Sequence, residues 1–192
     1  MKYSILTLLL IVSSLTSVLA QKTTWTVDNA HSKLTFTVVH LGLSEVDGVF
    51  KDYSATITTT KDDFSDAVFE VSADLTTVST NNEMRDGHLQ KEDMFHTEKY
   101  PTLMFKSTSI DKTGEKTFQL TGNLTIKGTT KEVALTVQLL GKGENPMSKK
   151  EIAGFKVTGT INRSDFNVGE GIPSMMVSEE IQLIASGEFA KE

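Results

Sequence analysis

The chain lacks cysteine altogether, since none occurs among its 192 residues. This absence excludes disulfide bonds, thiolate catalysis and attachment of a lipid to a cysteine behind a leader. Packing must therefore stabilise the fold, which a single domain of about 170 residues can achieve. After the first segment, no apolar run reaches the roughly 20 residues that a membrane-spanning helix needs. We therefore expect no stable membrane insertion.

Clustered positive charge is lacking as well. The 19 lysines and arginines are scattered among 25 acidic residues, and the formal net charge is -6. Proteins that bind nucleic acids normally present a concentrated basic face to the phosphates. We therefore expect no nucleic-acid partner.

Motifs for catalysis and metal binding are also missing. There is no HExxH and no GxSxG, and the four histidines, His31, His40, His88 and His96, lack the spacing of helical zinc ligands. The sequence therefore predicts no catalytic residue, no metal site and no cofactor. An alternative is an enzyme or redox accessory that acts on a quinone or lipid head group through His88 and Arg85.

Residues 1–20 have the pattern of a secretory signal peptide. Lys2 is followed by the apolar run Ile5 to Val12, and Val18-Leu19-Ala20 has small side chains at the two positions that signal peptidase reads. Cleavage after Ala20 would delete one cation and no acid. We expect a periplasmic or secreted protein with one domain, residues 21–192.

Alternation of apolar and polar side chains dominates the rest of the chain. Lys33 to His40, Val49 to Thr59, Ala67 to Leu75 and Val177 to Phe189 each keep the apolar class on one parity, as half-buried strands do. Short turns separate these segments, which favours antiparallel neighbours. About eight such strands suit a closed barrel or a sandwich, and closure removes exposed edges. We predict an all-β, lipocalin-like, extended antiparallel barrel.

The segment from Met84 to Phe105 breaks this alternation. Asn81 or Asn82 can cap a helix that runs through Met84 to Lys91, and Tyr100-Pro101 forces an extended return to the next strand. We therefore predict a short helical insert at about residues 82–98. It is too long for a hairpin loop, so it should act as a lid, a plug or one wall of a pocket.

The predicted inner face mixes phenylalanines with alanines and glycine. Such a mixture can fill an eight-stranded barrel completely, or it can leave room for one slender ligand. A filled barrel would be a stress or interaction module. An open one would have apolar walls suited to a long hydrocarbon, and Arg85 could either hold a phosphate or quinone oxygen or pair with acids nearby.

Four segments taken together resemble the YceI-like family of exported, lipocalin-like polyisoprenoid binders. They are WTVDNAHSKLTFTVVHLGLSEVDGVF from Trp25, MRDGHLQKEDMF from Met84, GNLTIKGTTKEV from Gly122 and INRSDF from Ile161. The resemblance implies a long apolar tunnel that holds an isoprenoid, quinone-like or fatty-amide tail with its polar head near the mouth. It implies no catalysis and allows a homodimer. Met94-Phe95 and Asn167 depart from the family pattern.

We therefore expect a carrier whose strands supply the binding energy, while Arg85, His88 and Phe95 of the insert shape the entrance. The residues expected to contact the ligand are Phe36, Val38, His40, Phe69, Met84, Arg85, His88, Leu89, Phe95, Phe105, Phe118 and Phe155.

Overall fold

The structure, a computed structural model, describes residues 21–192, so the predicted signal peptide at 1–20 lies outside the described residues. Ten strands, one α-helix and two short 3-10 helices, Leu75–Thr77 and Arg163–Phe166, make up the regular structure of this part of the chain. The strands are β1 (Thr23–His40), β2 (Ser44–Phe50), β3 (Tyr53–Thr59), β4 (Val68–Asp74), β5 (Val78–Ser79), β6 (Thr102–Lys112), β7 (Thr117–Ile126), β8 (Thr129–Glu144), β9 (Glu151–Asn162) and β10 (Glu180–Lys191).

The strands form a closed antiparallel barrel, as predicted. The neighbours around the ring are β1, β3, β4, β6, β7, β8, β9 and β10, and pairing of β10 with β1 closes it. One edge of β1 is shared, because its first residues pair with β3 while Leu34 to His40 pair with β2. The two-residue β5 pairs with the end of β2. Each of the eight strands in the ring therefore has a strand partner on both sides.

Alternation predicts the inward side chains correctly in β4, but it assigns the wrong parity in β2, where Gly48 and Phe50 are buried and Val49 is only half-buried. In β4, Phe69 and Ala73 are buried while the residues between them are half-buried. The segment predicted as one strand from Val49 to Thr59 is in fact two. A bend at Lys51 and Asp52 separates β2 from β3, and the two strands pair with different parts of β1.

The predicted helical insert is present. Helix α1 (Glu83–Leu89) begins at Asn82, whose side chain accepts a hydrogen bond from the Arg85 backbone N–H at 3.0 Å. This bond satisfies one of the free N–H groups of the first turn. Turns then lead to Pro101 and into β6. Within residues 21–192, no helix combines the length and the apolar character needed to cross a membrane.

An aromatic cluster closes the barrel at the end away from α1. Phe155 packs edge-on against three rings, with centroid distances of 4.9 Å to Phe64, 5.7 Å to Phe69 and 5.7 Å to Phe189. Trp25 packs on Phe64 at 5.3 Å. Such tilted and edge-to-face contacts are the favoured geometry of aromatic pairs. The barrel is therefore solidly packed at this end.

Candidate functional site

A cavity with apolar walls lies at the end of the barrel that α1 covers. This main cavity has a volume of about 190 Å³, and its walls come from β1, β2, α1, β6, β7, β9, β10 and the loop from 163 to 177. Its walls are almost entirely apolar. The exceptions are Thr80, Arg85, His88 and Arg163, which lie at its edge or in the loop.

Two smaller cavities continue from the main cavity toward the aromatic cluster. A middle cavity of about 90 Å³ shares Phe50, Leu103 and Leu183 with the main cavity, and we call these three residues the neck. A distal cavity of about 50 Å³ shares five residues with the middle one and ends against Phe155 and Phe189. The three cavities form a row along the barrel, which we call the tunnel. The rings of Phe155 and Phe189 border its far end.

Arg85 places a guanidinium group at the edge of the main cavity. Its Nε donates to the Thr80 hydroxyl at 2.7 Å, and one terminal nitrogen donates to the Thr80 carbonyl at 2.8 Å. The Thr80 hydroxyl donates in turn to Asp86 at 2.5 Å, so the side chain of Asp86 is occupied by Thr80. Among residues 21–192, no carboxylate lies within 4.0 Å of the Arg85 guanidinium. The group is thus held in place with N–H donors to spare.

His88 stands one helical turn after Met84 and also borders the main cavity. Its Nε2 lies 2.9 Å from Asp93 Oδ2, and both side chains are more than half exposed. The hydrogen bond from His88 keeps the pKa of Asp93 below its usual value. An exposed pair of this kind contributes little to stability. It fixes the position of the imidazole at the entrance.

Arg163 is the second guanidinium of the cavity wall, and its surroundings differ from those of Arg85. It is buried, and its nitrogens donate to the carbonyl oxygens of Val168, Gly169, Ile172, Val177 and Ser178. Glu179 lies 3.4 Å from it. The backbone of the loop thus uses the donors of Arg163. Its role is to hold the loop from 163 to 177 in place as a wall.

The insert and this loop meet at the entrance. The Gly169 N–H donates to the Asp93 carbonyl at 2.8 Å. Phe95 reaches inward from the insert, with its ring centroid 6.1 Å from that of Phe50. Two segments far apart in the sequence therefore form one cover over the main cavity.

The structure brings together most of the residues predicted to contact a ligand. Phe36, Val38, Arg85, His88, Leu89 and Phe95 line the main cavity, and Phe69, Phe105 and Phe155 line the middle or distal cavities.

Three predicted residues lie elsewhere. His40 is exposed at the end of β1, where its backbone bridges to Val177. Met84 is 87% exposed on the outer face of α1. Phe118 is fully buried but borders none of the three cavities. Parity along a strand indicates an inner or an outer face, yet it does not show where the cavity ends or distinguish a cavity wall from solid packing.

Sequence reasoning missed the wall formed by the loop from 163 to 177. This segment contributes Arg163, Phe166, Val168, Ile172 and Val177 to the main cavity. Gly169 and Gly171 within this segment are typical of a flexible loop. The signal that could have located the wall is the series of apolar residues on both sides of these glycines, since an exposed loop has little use for them.

One group of described side chains has the composition and closeness to hold a metal ion. The ligating atoms of Asp28, His31 and Glu188 lie within 4.8 Å of one another on the outside of the barrel. His31 Nδ1 is 2.8 Å from Asp28, and this hydrogen bond raises the pKa of His31 and lowers that of Asp28. One imidazole nitrogen is thus already hydrogen-bonded to the Asp28 carboxylate. The absence of a metal site stays a prediction.

Comparison with known proteins gives consistent matches over almost the whole described chain. The family model described as a YceI-like domain matches residues 25–189. Protein YceI of Escherichia coli O157:H7 is 36% identical over 165 residues, which cover 86% of this chain and 84% of that protein.

Solved structures show the same architecture. BcnA of Burkholderia cenocepacia superposes with a TM-score of 0.77 at 25% identity, covering 84% of this chain and 98% of BcnA. A polyisoprenoid binding domain from Saccharophagus degradans gives a TM-score of 0.63 at 17% identity, covering 88% of this chain and 98% of that domain. The second likeness concerns the fold alone.

Proposed function

The chain belongs to the YceI-like family, and from this premise we propose that it is a non-catalytic carrier that sequesters a long-chain amphiphilic lipid. The observation that carries the proposal is the tunnel: three apolar cavities in a row, bordered by aromatic rings at one end and by a guanidinium at the other. The polyisoprenoid binding described for the Saccharophagus degradans domain, which has the same fold, supports this class of ligand.

The tunnel suits the hydrocarbon tail. Its walls offer almost no polar atoms, so affinity comes from the removal of methylene and methyl groups from water. In ligands of this size each heavy atom contributes about 0.3 kcal/mol of binding free energy, so a tail of about 30 atoms contributes about 9 kcal/mol. This corresponds to a dissociation constant of roughly 0.2 μM. The three cavities favour this function over that of a filled barrel.

Arg85 suits the head group. Its unused N–H donors favour an oxygen-rich group such as a phosphate, a quinone carbonyl or an amide carbonyl. Arg163 does not compete for the same group, because the loop carbonyls occupy it. The head would therefore bind beside Arg85 and His88, with the tail passing the neck toward Phe155.

The YceI-like family and the polyisoprenoid-binding neighbour favour binding over turnover of the head group. Export rests on the leader: we propose a periplasmic or secreted protein cleaved after Ala20. The intact mass of the protein isolated from its host tests this directly, since a mass that includes residues 1–20 contradicts it.

Binding of a long prenyl phosphate and of the matching prenyl alcohol tests the function. We expect submicromolar affinity for the phosphate, measured by displacement of a fluorescent fatty probe. Arg85→Met should weaken phosphate binding at least tenfold, because charge-assisted hydrogen bonds are worth about 1.5–3 kcal/mol. Binding of the alcohol should change less than threefold.

Lys156→Met, which removes a cation from the outer face of β9, is the matched control and should change neither affinity. A parent protein that binds neither ligand contradicts the carrier function. Equal phosphate binding by the parent and Arg85→Met contradicts the role of Arg85 alone.

A further inference from the structure

Four large apolar side chains project into solvent around the mouth of the tunnel. Leu43 is 85% exposed and Met175 is 78% exposed, while Leu41 and Met176 are about half exposed. Leu41 and Leu43 form the turn between β1 and β2, and the two methionines precede Val177. The Leu41 N–H donates to the Met176 carbonyl at 2.9 Å, which joins the two segments. We call these four residues the apolar rim.

The apolar rim is continuous with the wall of the main cavity. Val38 and Val46, which pair with each other in the β1–β2 hairpin, both line that cavity just below the turn. Val177, directly after Met176, lines it from the other side. A hydrocarbon leaving the main cavity past these joined segments would therefore meet apolar side chains up to the molecular surface.

The backbone at Leu41 is unfavourable for a leucine. Leu41 has φ of 53° and Gly42 has φ of +66°, so two of the three residues of the turn are left-handed. Asparagine or glycine is usual at such a position, and a residue with a large side chain is strained by about 1 kcal/mol there. Strained, exposed apolar residues point to a functional surface rather than to a stabilising one.

The charges around the apolar rim limit what can bind there. Residues 34–50 contain no lysine or arginine, and neither do residues 164–190. The same segments carry Glu45, Asp47, Glu170 and Glu179. An anionic surface would therefore be repelled, whereas an uncharged apolar or zwitterionic surface would not.

We propose that the apolar rim docks on the zwitterionic surface of a phospholipid bilayer, so that the long-chain ligand passes between bilayer and tunnel without crossing water. This inference rests on the proposed function, because a ligand with a long tail resides in a bilayer when it is not bound to protein. Shallow insertion of a few leucine and methionine side chains gives reversible attachment, unlike a membrane-spanning segment.

Flotation with phosphatidylcholine vesicles tests the docking. We expect the full mature protein to float with these vesicles. The double variant Leu43→Ser/Met175→Ser should bind them at least tenfold more weakly, because each large side chain raises the affinity for the bilayer by a factor of about five when it is partly immersed. Replacing about 30% of the lipid with phosphatidylglycerol should weaken binding, and added salt should restore it.

Two exposed side chains elsewhere provide matched controls. Met147 is 93% exposed in the turn after β8, and Leu140 is 52% exposed at the β8 bulge. Met147→Ser/Leu140→Ser should float like the parent. Binding of a short prenyl phosphate delivered from ethanol should be unchanged within twofold in both double variants. This readout separates loss of docking from loss of the carrier function.

Three outcomes would overturn the docking. The parent protein does not float with phosphatidylcholine, the control double variant loses as much binding as the rim variant, or anionic lipid strengthens the attachment. Light scattering adds a fourth: a dimeric parent that Leu43→Ser/Met175→Ser converts to a monomer would show that a second copy covers the apolar rim. If the short ligand fails to bind the parent, the proposed function fails instead.

Discussion

A tryptophan at the neck should shorten the tunnel without closing its mouth. Leu183 separates the main cavity from the middle one, and Phe189, six residues later on β10, ends the distal cavity. Six residues of a strand tilted about 40° span about 15 Å along the barrel. A hydrocarbon segment of roughly 10 carbons fits in that length. At about 0.3 kcal/mol for each atom, excluding this segment costs about 3 kcal/mol, which is a loss of about 150-fold in affinity.

Leu183→Trp should therefore bind a long prenyl phosphate about 150-fold more weakly than the parent does. Its affinity for a prenyl phosphate of about 10 carbons, which ends before the neck, should fall less than threefold. Isothermal titration calorimetry with both ligands measures the two effects. Leu140→Trp, on the exposed bulge of β8, controls for the added ring and should change neither affinity. Leu103→Phe tests the same neck from β6 if the first variant folds poorly. Equal losses for short and long ligands, or none for the long one, would refute the tunnel.

Three further predictions concern the barrel around the tunnel. Arg163→Met removes the donors of five loop carbonyls and should lower the free energy of unfolding by about 3 kcal/mol. In a circular dichroism melt this is a fall of roughly 10 °C in the melting temperature. An unchanged melting temperature contradicts the structural role of Arg163. A Cβ added at Gly48 would overlap the Phe36 ring. Gly48→Ala should therefore lower the free energy of unfolding, measured by urea titration, by about 1–3 kcal/mol. An unchanged free energy of unfolding would show that the ring moves freely into the main cavity. The pKa of His31, followed by NMR, should lie above 6.5 and fall toward that value in Asp28→Asn. Since folding raises this pKa, the His31 contribution to stability is present below pH 6.5 and is lost as pH rises through the folded value; an unshifted pKa contradicts the pairing.

Local patterns account for what the sequence predicts well. Alternation identifies the inward face of β4, because successive side chains of any strand point to opposite sides. The cap at Asn82 predicts where α1 begins, because a short polar side chain satisfies the free N–H groups of the first turn. Both rules involve residues within a few positions of each other.

The unpredicted features depend on contacts between distant segments. The bend between β2 and β3 exists because β1 is long enough to pair with both strands along one edge. The loop from 163 to 177 becomes a wall because Arg163 binds its carbonyls and because Gly169 donates to Asp93 of the insert. His40 keeps the inward parity of β1, yet it lies beyond the last layer of the cavity wall. None of these contacts leaves a periodic signal.

The central claim is that the tunnel holds a hydrocarbon tail, and a crystal structure of the protein incubated with a long prenyl phosphate tests it most directly. We predict continuous electron density from a phosphate beside Arg85, past Leu103 and Leu183 at the neck, to Phe155. Empty cavities, or neck side chains closed on one another while the ligand binds on the outside of the barrel, would contradict the account.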